Sequence, residues 1–169
     1  MRKILFFIIS LTVIAVNISS GVSAAELNEA EADYLARVIA ATYPEISFGG
    51  RVAVAAVVLN RMDTVGYPDT AGGAVMSIAA EGELGGIVSA AGKIDEKLLR
   101  VTKDAVYTAV SGADPTKDAI RFETVKNEGG ADLRFDDSTE DKAARENRNY
   151  FVEKYGVEAV LIDGMGFWR

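Results

Sequence analysis

The run RVAVAAVVLNR, from Arg51 to Arg61, constrains the fold more than any other part of the chain. Every residue from Val52 to Leu59 is apolar. At 3.6 residues per turn such a run leaves no polar face, so the helix it forms has to be covered on all sides. The sequence therefore predicts a buried central helix over 51–62. Ala53, Ala55 and Ala56 let neighbouring helices approach closely, and Asn60 and Arg61 give the helix a polar end.

The flanking segments supply the cover. Asn28 with Glu31 three residues on has the pattern of a capping box, and Leu35, Val38, Ile39 and Thr42 follow at helical spacing. Pro44 ends that helix near Thr42 or Tyr43. Gly49-Gly50 reads as a flexible lead into the central helix. Tyr67-Pro68-Asp69-Thr70 reads as a turn, with Asp69 or Thr70 capping a short helix that runs to Ile78. An acidic, glycine-rich loop follows from Ala80 to Gly86. A fourth helix is predicted from Asp95 to Val110, with Leu98, Val101 or Thr102, Ala105 and Ala109 inward and Gly112 at its C-terminal cap.

Strands come last. Ile120, Phe122 and Thr124 alternate with charged residues over Ala119–Thr124. The segment 125–148 is polar, with Ser138 and Asp141 able to start a short helix. Asp163-Gly164 between Val157–Ile162 and Met165–Trp168 is the preferred two-residue turn of a β-hairpin. Helices followed by a small antiparallel sheet make a single α+β domain.

Composition narrows the chemistry. The chain has neither Cys nor His. That excludes disulfides, Ser-His-Asp and Cys-His sites, and an ordinary zinc site. No cofactor and no metal are expected. The acidic run Asp136, Asp137, Glu140 and Asp141 lacks the spacing of an EF-hand loop and reads as a solvated helix start rather than a calcium site. The formal net charge of −7 argues against nucleic acid as a partner.

Residues 1–24 read as a secretion signal, leaving a single domain over 25–169. Arg2 and Lys3 precede the apolar stretch Ile4–Val16, which is short for a membrane span of about 20 residues. Val22-Ser23-Ala24 is a small-residue cleavage box. The expected location is therefore extracytoplasmic, at the cell envelope or secreted, without stable membrane insertion after cleavage.

Two stretches carry a family resemblance. Leu35, Ala36, Arg37, Val38, Ile39 and Ala41, then Gly50, Val52 and the run Ala53–Arg61, match the pattern "L-A-R-[apolar]-[apolar]-x-A-E-A-x-G-E … G-Q-V-A-V-A-A-V-V-L-N-R". Tyr67-Pro68-Asp69-Thr70, the segment Ala105–Pro115, Ala119–Phe122 and Ile162–Phe167 match further elements in order. The chain thus resembles the bacterial cell wall hydrolases that include spore-cortex-lytic enzymes. The resemblance implies a lysozyme-like helical core, and lytic cleavage of peptidoglycan glycan strands by one glutamate acting as acid and then base.

At the position of that glutamate stands Thr42, whose hydroxyl has no pKa suited to protonating a leaving oxygen. Glu83, near the family's cleft glutamine, is the best candidate for a surviving acid. Tyr43, Glu45, Phe48 and Glu81 are candidates for substrate contact. Arg37 and Arg61 read better as buried ion pairs and helix-end charges than as ligands, and Tyr67 and Trp168 better as core. The family's C-terminal His is replaced by Met165 or Gly166. Two functions remain open: a weakly active enzyme using a relocated carboxylate, or a non-catalytic module that binds glycan strands or a cell-wall protein.

Overall fold

The computed structural model describes residues 27–84, 94–124 and 150–169. The leader, the 136–141 acidic run and the short helix expected near Ser138 lie outside the described residues.

Four helices and three strands follow in order: α1 (Glu29–Thr42), α2 (Phe48–Met62), α3 (Ala71–Ala80), α4 (Glu96–Val110), β1 (Arg121–Thr124), β2 (Val160–Ile162) and β3 (Met165–Trp168). The capping box at Asn28 forms as expected, with Glu31 closing it in both directions. Thr70, rather than Asp69, caps α3, and its hydroxyl accepts from the Gly73 N–H. Asp95 caps α4.

α2 is the centre. Every residue from Gly50 to Arg61 is buried. The helix packs on α3, α4 and α1 and touches β1 and β2. Its start differs from the expectation. Gly49 and Gly50 are not a flexible lead but the first turn of the helix, because Ser47 is the N-cap. The Ser47 hydroxyl accepts from the Gly50 N–H at 3.1 Å and donates to Asp163 Oδ2 at 2.6 Å. The Ser47 N–H donates to the same carboxylate oxygen at 2.9 Å. Asp163 thus places a negative charge at the positive end of the α2 dipole. A Cβ at position 50 would lie 2.2 Å from Asp163 Oδ2, so a side chain there would displace this docking contact.

On α4, Thr102 and Val106 are buried along with Ala105 and Ala109, whereas Val101 and Leu98 are only half-buried. Thr102 faces inward because Arg51 needs a partner: its Nε donates to Thr102 Oγ1 at 3.1 Å. The Arg51 guanidinium also donates to the carbonyls of Pro44, at 2.7 Å, and Ile46. A buried arginine therefore braces the 43–47 connection between α1 and α2.

The three strands form one antiparallel sheet in the order β1-β3-β2. β2 and β3 are joined by Asp163-Gly164. Both residues have positive φ, 50° and 75°, as a tight hairpin turn of this kind requires. The first arm is shorter than expected, beginning at Val160 rather than Val157. Side chains alternate across the sheet. Phe122, Met165, Phe167, Val160 and Ile162 face the helical core. Trp168, Leu161 and Ala159 face a second cluster around Phe151, in helical backbone over 150–155. The Phe151 ring lies so close to Gly166 that a Cβ there would fall 2.1 Å from it. β3 is buried throughout because both its faces are covered.

The sequence Leu59-Asn60-Arg61 works as a junction. Asn60 donates to the Ala119 carbonyl at 3.0 Å and to Asp114 Oδ2 at 3.1 Å. Asp114 in turn accepts from the Thr116 N–H and hydroxyl and from the Asp118 N–H. The Gly-x-Asp-Pro-Thr stretch is thus a structural clasp at the end of α4.

Burial makes a direct prediction at Val57, which is fully buried at the middle of α2. Val57→Asp places a charge with no partner in the core, so it should destabilise by on the order of 4 kcal/mol. Chemical denaturation followed by circular dichroism measures this, and an unchanged midpoint would show that α2 is not the core.

Candidate functional site

A groove of about 460 Å³ opens where the turn after α3 meets β1 and the 150–155 segment. Glu81, Glu83, Arg121, Phe122, Glu123, Lys154, Tyr155 and Trp168 line it.

The first wall is the 81–84 turn. Glu81 is fixed by Arg61, the largest fully buried side chain among the described residues. The Arg61 guanidinium donates to Glu81 at 2.6 Å, to Ser77 Oγ at 2.9 Å and to the Ile120 carbonyl at 2.5 Å, and lies 4.9 Å over the Tyr67 ring. At the other end Leu84 is buried in the core with φ of 52°. A bulky residue in the left-handed region is uncommon and costs about 1–3 kcal/mol, so it persists only where surrounding contacts enforce it. Gly82 also has positive φ, 101°. Glu83 is therefore held between an ion-paired residue, a permissive glycine and a strained, buried anchor. Its Oε2 accepts from the Tyr43 hydroxyl at 3.1 Å.

Tyr43 is the residue after Thr42, so the structure brings Glu83 to the end of α1. The Tyr43 ring packs edge-on against Phe122, with centroids 6.2 Å apart. Burial, and then the charge and hydrogen bond of Glu83, raise the Tyr43 phenol well above its ordinary pKa. It is a neutral donor at any physiological pH. The Thr42 Oγ1 itself is buried and has no hydrogen-bond partner among the described residues. An orphaned buried hydroxyl costs about 1–3 kcal/mol, which marks the place as one not optimised for threonine.

The second wall was not legible in the sequence. Glu123 accepts from Lys154 Nζ at 2.7 Å, from the Tyr150 hydroxyl at 2.9 Å and from the Tyr155 hydroxyl. The Lys154 ammonium sits 4.9 Å from both tyrosine rings. Tyr155 stacks on Trp168, with centroids 4.9 Å apart, and remains 41% exposed, which leaves aromatic surface for a ligand. Burial alone would raise the Glu123 carboxyl. The bonds from Lys154, Tyr155 and Tyr150 outweigh it and hold the group below the ordinary value of 4.5. The same contacts raise Lys154. Strand alternation already put Arg121 and Glu123 on one face of β1. The partners of Glu123 come from a segment with no sequence pattern that assigned it to a helix.

Apart from Trp168, the remaining candidates lie away from this groove. Glu45 and Phe48 are exposed, beside the connection and in the first turn of α2, and neither lines the groove. Arg37 is not buried. It forms an exposed pair with Asp33 one helical turn away at 2.6 Å, and Asp33 also binds Lys103. Trp168 is buried as expected, yet its edge belongs to the groove lining. Among the described residues no group of acidic side chains is arranged to hold a metal ion, and no helix is long and apolar enough to cross a membrane.

Glu123 makes the groove pH-dependent. A depressed carboxyl contributes stability above its ordinary value and loses it as pH falls through the folded value. The raised Lys154 contributes in full below the ordinary lysine value, so it does not limit this window on the acid side. Lowering pH to below 4.5 should therefore release Lys154 and Tyr155 and change the emission of Trp168, the single tryptophan of the chain. The transition should vanish in Glu123→Gln. Its persistence in that variant would place the titrating group elsewhere.

The sequence profile of a family described as cell wall hydrolase matches residues 46–152, more than half of the chain. Among solved structures, the catalytic domain of the Bacillus cereus SleB protein superposes with a TM-score of 0.52 at 20% identity. That match covers 84% of this chain and 91% of the other. The catalytic domain of the germination-specific lytic transglycosylase SleB from Bacillus anthracis gives 0.53 at 19% identity, covering 85% and 98%. At these identities the likeness establishes the fold. Comparison with curated proteins gives no match.

Proposed function

The chain belongs to the cell wall hydrolase family, and from that premise we propose that it is an exported, peptidoglycan-associated protein that cleaves glycan strands weakly, with Glu83 as the acid. The observation that carries this reading is the presentation of Glu83. A strained turn, anchored by Leu84 and by the Arg61–Glu81 pair, holds a carboxylate in an open groove and within hydrogen-bond reach of Tyr43, the residue that follows α1.

The chemistry needs one carboxyl group. Protonated Glu83 gives its proton to the glycosidic oxygen as the bond to the anomeric carbon breaks. A hydroxyl of the same sugar attacks that carbon and returns its proton to the Glu83 carboxylate. Atoms and charge balance without water or metal. Tyr155 offers a stacking surface for a sugar ring, and Arg121 offers a charge for a peptide or lactyl carboxylate. Weak cleavage is expected because Tyr43 stabilises the ionised form of Glu83 and Thr42 supplies no acid.

A second reading, a glycan-binding module without catalysis, draws support from the orphaned Thr42 hydroxyl and from the engagement of Glu81 and Glu123 by Arg61 and Lys154. Both readings are separated by incubating the protein with purified peptidoglycan and analysing released muropeptides. Slow release that falls at least tenfold in Glu83→Gln supports the enzyme. Retention on sedimented peptidoglycan without release, together with gain of release in Thr42→Glu, supports a binding module built on a vacated site. In that variant a half-buried glutamate would have a raised pKa, as a general acid requires.

Export rests on Arg2-Lys3, the apolar Ile4–Val16 stretch and Val22-Ser23-Ala24. The protein recovered from the cell envelope should begin at Ala25 by mass spectrometry. Peptides from residues 1–24 in that material would refute cleavage there.

A further inference from the structure

Tyr43 has no role in the resemblance pattern, where alanine follows the glutamate, yet in the structure it is the residue that reaches Glu83. We propose that Tyr43 is a positioning residue for Glu83, fixing its carboxylate in the groove and holding it in the ionised form. The proposal rests on the reading of Glu83 as the working carboxylate.

Two observations carry it. The Tyr43 hydroxyl has a single proton and an ionised carboxylate can only accept, so that proton points to Glu83 Oε2 at 3.1 Å. Next, the ring cannot swing away: it is packed on Phe122, which stacks on Phe167 at 5.6 Å, so the hydroxyl is tied to the sheet.

The electrostatic direction follows from the groups around Glu83. Glu81 on the same turn and Glu123 on β1 oppose its ionisation. Arg121 on β1, Lys154 over 150–155 and Arg61 beneath Glu81 favour it, though Lys154 is engaged by Glu123 and Arg61 by Glu81. Tyr43 adds a neutral donor, which stabilises only the charged carboxylate. Removing that donor should raise the pKa of Glu83 and shift the alkaline limb of any acid-dependent activity upward.

The test uses the full chain with the single change Tyr43→Phe, which keeps the ring and its packing. Carbon-detected NMR follows the Glu83 side-chain carboxyl, assigned by its absence in Glu83→Gln. The expected result is a rise of about one pH unit in the Glu83 midpoint in Tyr43→Phe. Muropeptide release should show the same upward displacement of its alkaline limb and a lower maximum. Conversely, the Tyr43 phenol should ionise at lower pH in Glu83→Gln than in the wild type, read by ultraviolet difference spectra against Tyr43→Phe. An unmoved Glu83 midpoint, with dispersion of the remaining resonances unchanged, would overturn the proposal. Release that is insensitive to Glu83→Gln while the Glu83 midpoint still moves would preserve the Tyr43–Glu83 coupling and remove Glu83 from the chemistry.

Discussion

The Arg61 guanidinium is the contact on which the rest of the structure depends. It is 1% exposed at the end of the central helix and spends its donors on three different parts of the chain. Ser77 and Glu81 close the C-terminal end of α3, and the Ile120 carbonyl fixes the approach to β1. Burying a guanidinium is unfavourable unless its donors are met, and removing a partner from such a pair costs about 3–5 kcal/mol. Here Glu81 is partly exposed, so water shares the load and the lower part of that range applies. What the arrangement secures is geometry. The two walls of the groove, the 81–84 turn and β1, are both referred to one buried side chain. Asn60 adds the Asp114 clasp from the neighbouring position, so one polar end of α2 organises the helices and the sheet together.

The fold was legible where a pattern has one physical solution. An apolar run as long as Val52–Leu59 has no exposed face, and Asp-Gly between apolar arms fits a turn that needs two positive φ values. The details misjudged or left open are those decided by a partner far along the chain. Gly50 looks permissive in sequence. A side chain there would displace the carboxylate of Asp163, more than a hundred residues later, from the start of α2. Thr102 rather than Val101 faces inward because Arg51 is buried beside it. The candidate site divides the same way. Glu83 and Tyr43 stood out because they flank recognisable stretches, but nothing local predicted that their side chains would meet across forty residues. Glu123 was invisible for a related reason: its significance comes from Lys154, Tyr150 and Tyr155, and a short polar helix carries no strong periodicity.

Some departures from the resemblance pattern meet in one place. Thr42 and Tyr43 stand where the pattern has Glu-Ala, Arg51 where it has Gln, and Asp163 lies in the Ile162–Phe167 stretch that carries the replaced His. In the structure all four border the 43–47 connection. Arg51 donates to Pro44 and Ile46, Asp163 accepts from Ser47, and Tyr43 begins the connection. Burial lowers the pKa of Arg51, and the charges of Asp163 and Glu45 work against that shift. A neutral glutamine would place no charge below the connection. The arginine needs carbonyls to satisfy its donors, and the connection supplies them. Thr42 and this brace therefore meet at one short segment.

That link bears on how a carboxylate at the end of α1 differs from one on the turn after α3. A helix-borne acid takes its position from a rigid element with a fixed side-chain direction. Glu83 instead takes its position from two anchors on either side and from the Tyr43 hydroxyl. Such a carboxylate is well placed but depends on a hydrogen bond that also favours its ionised form, opposite to what a proton donor near neutral pH needs. Position and acidity, supplied together by partial burial in a helix-borne glutamate, pull against each other here. An enzyme built this way accepts a slow proton transfer in return for a fixed carboxylate, whereas a binding groove loses nothing, since an ionised, oriented carboxylate is a good acceptor for sugar hydroxyls. Under the proposed reading, the contact that positions Glu83 as an acid is thus also what limits it as one.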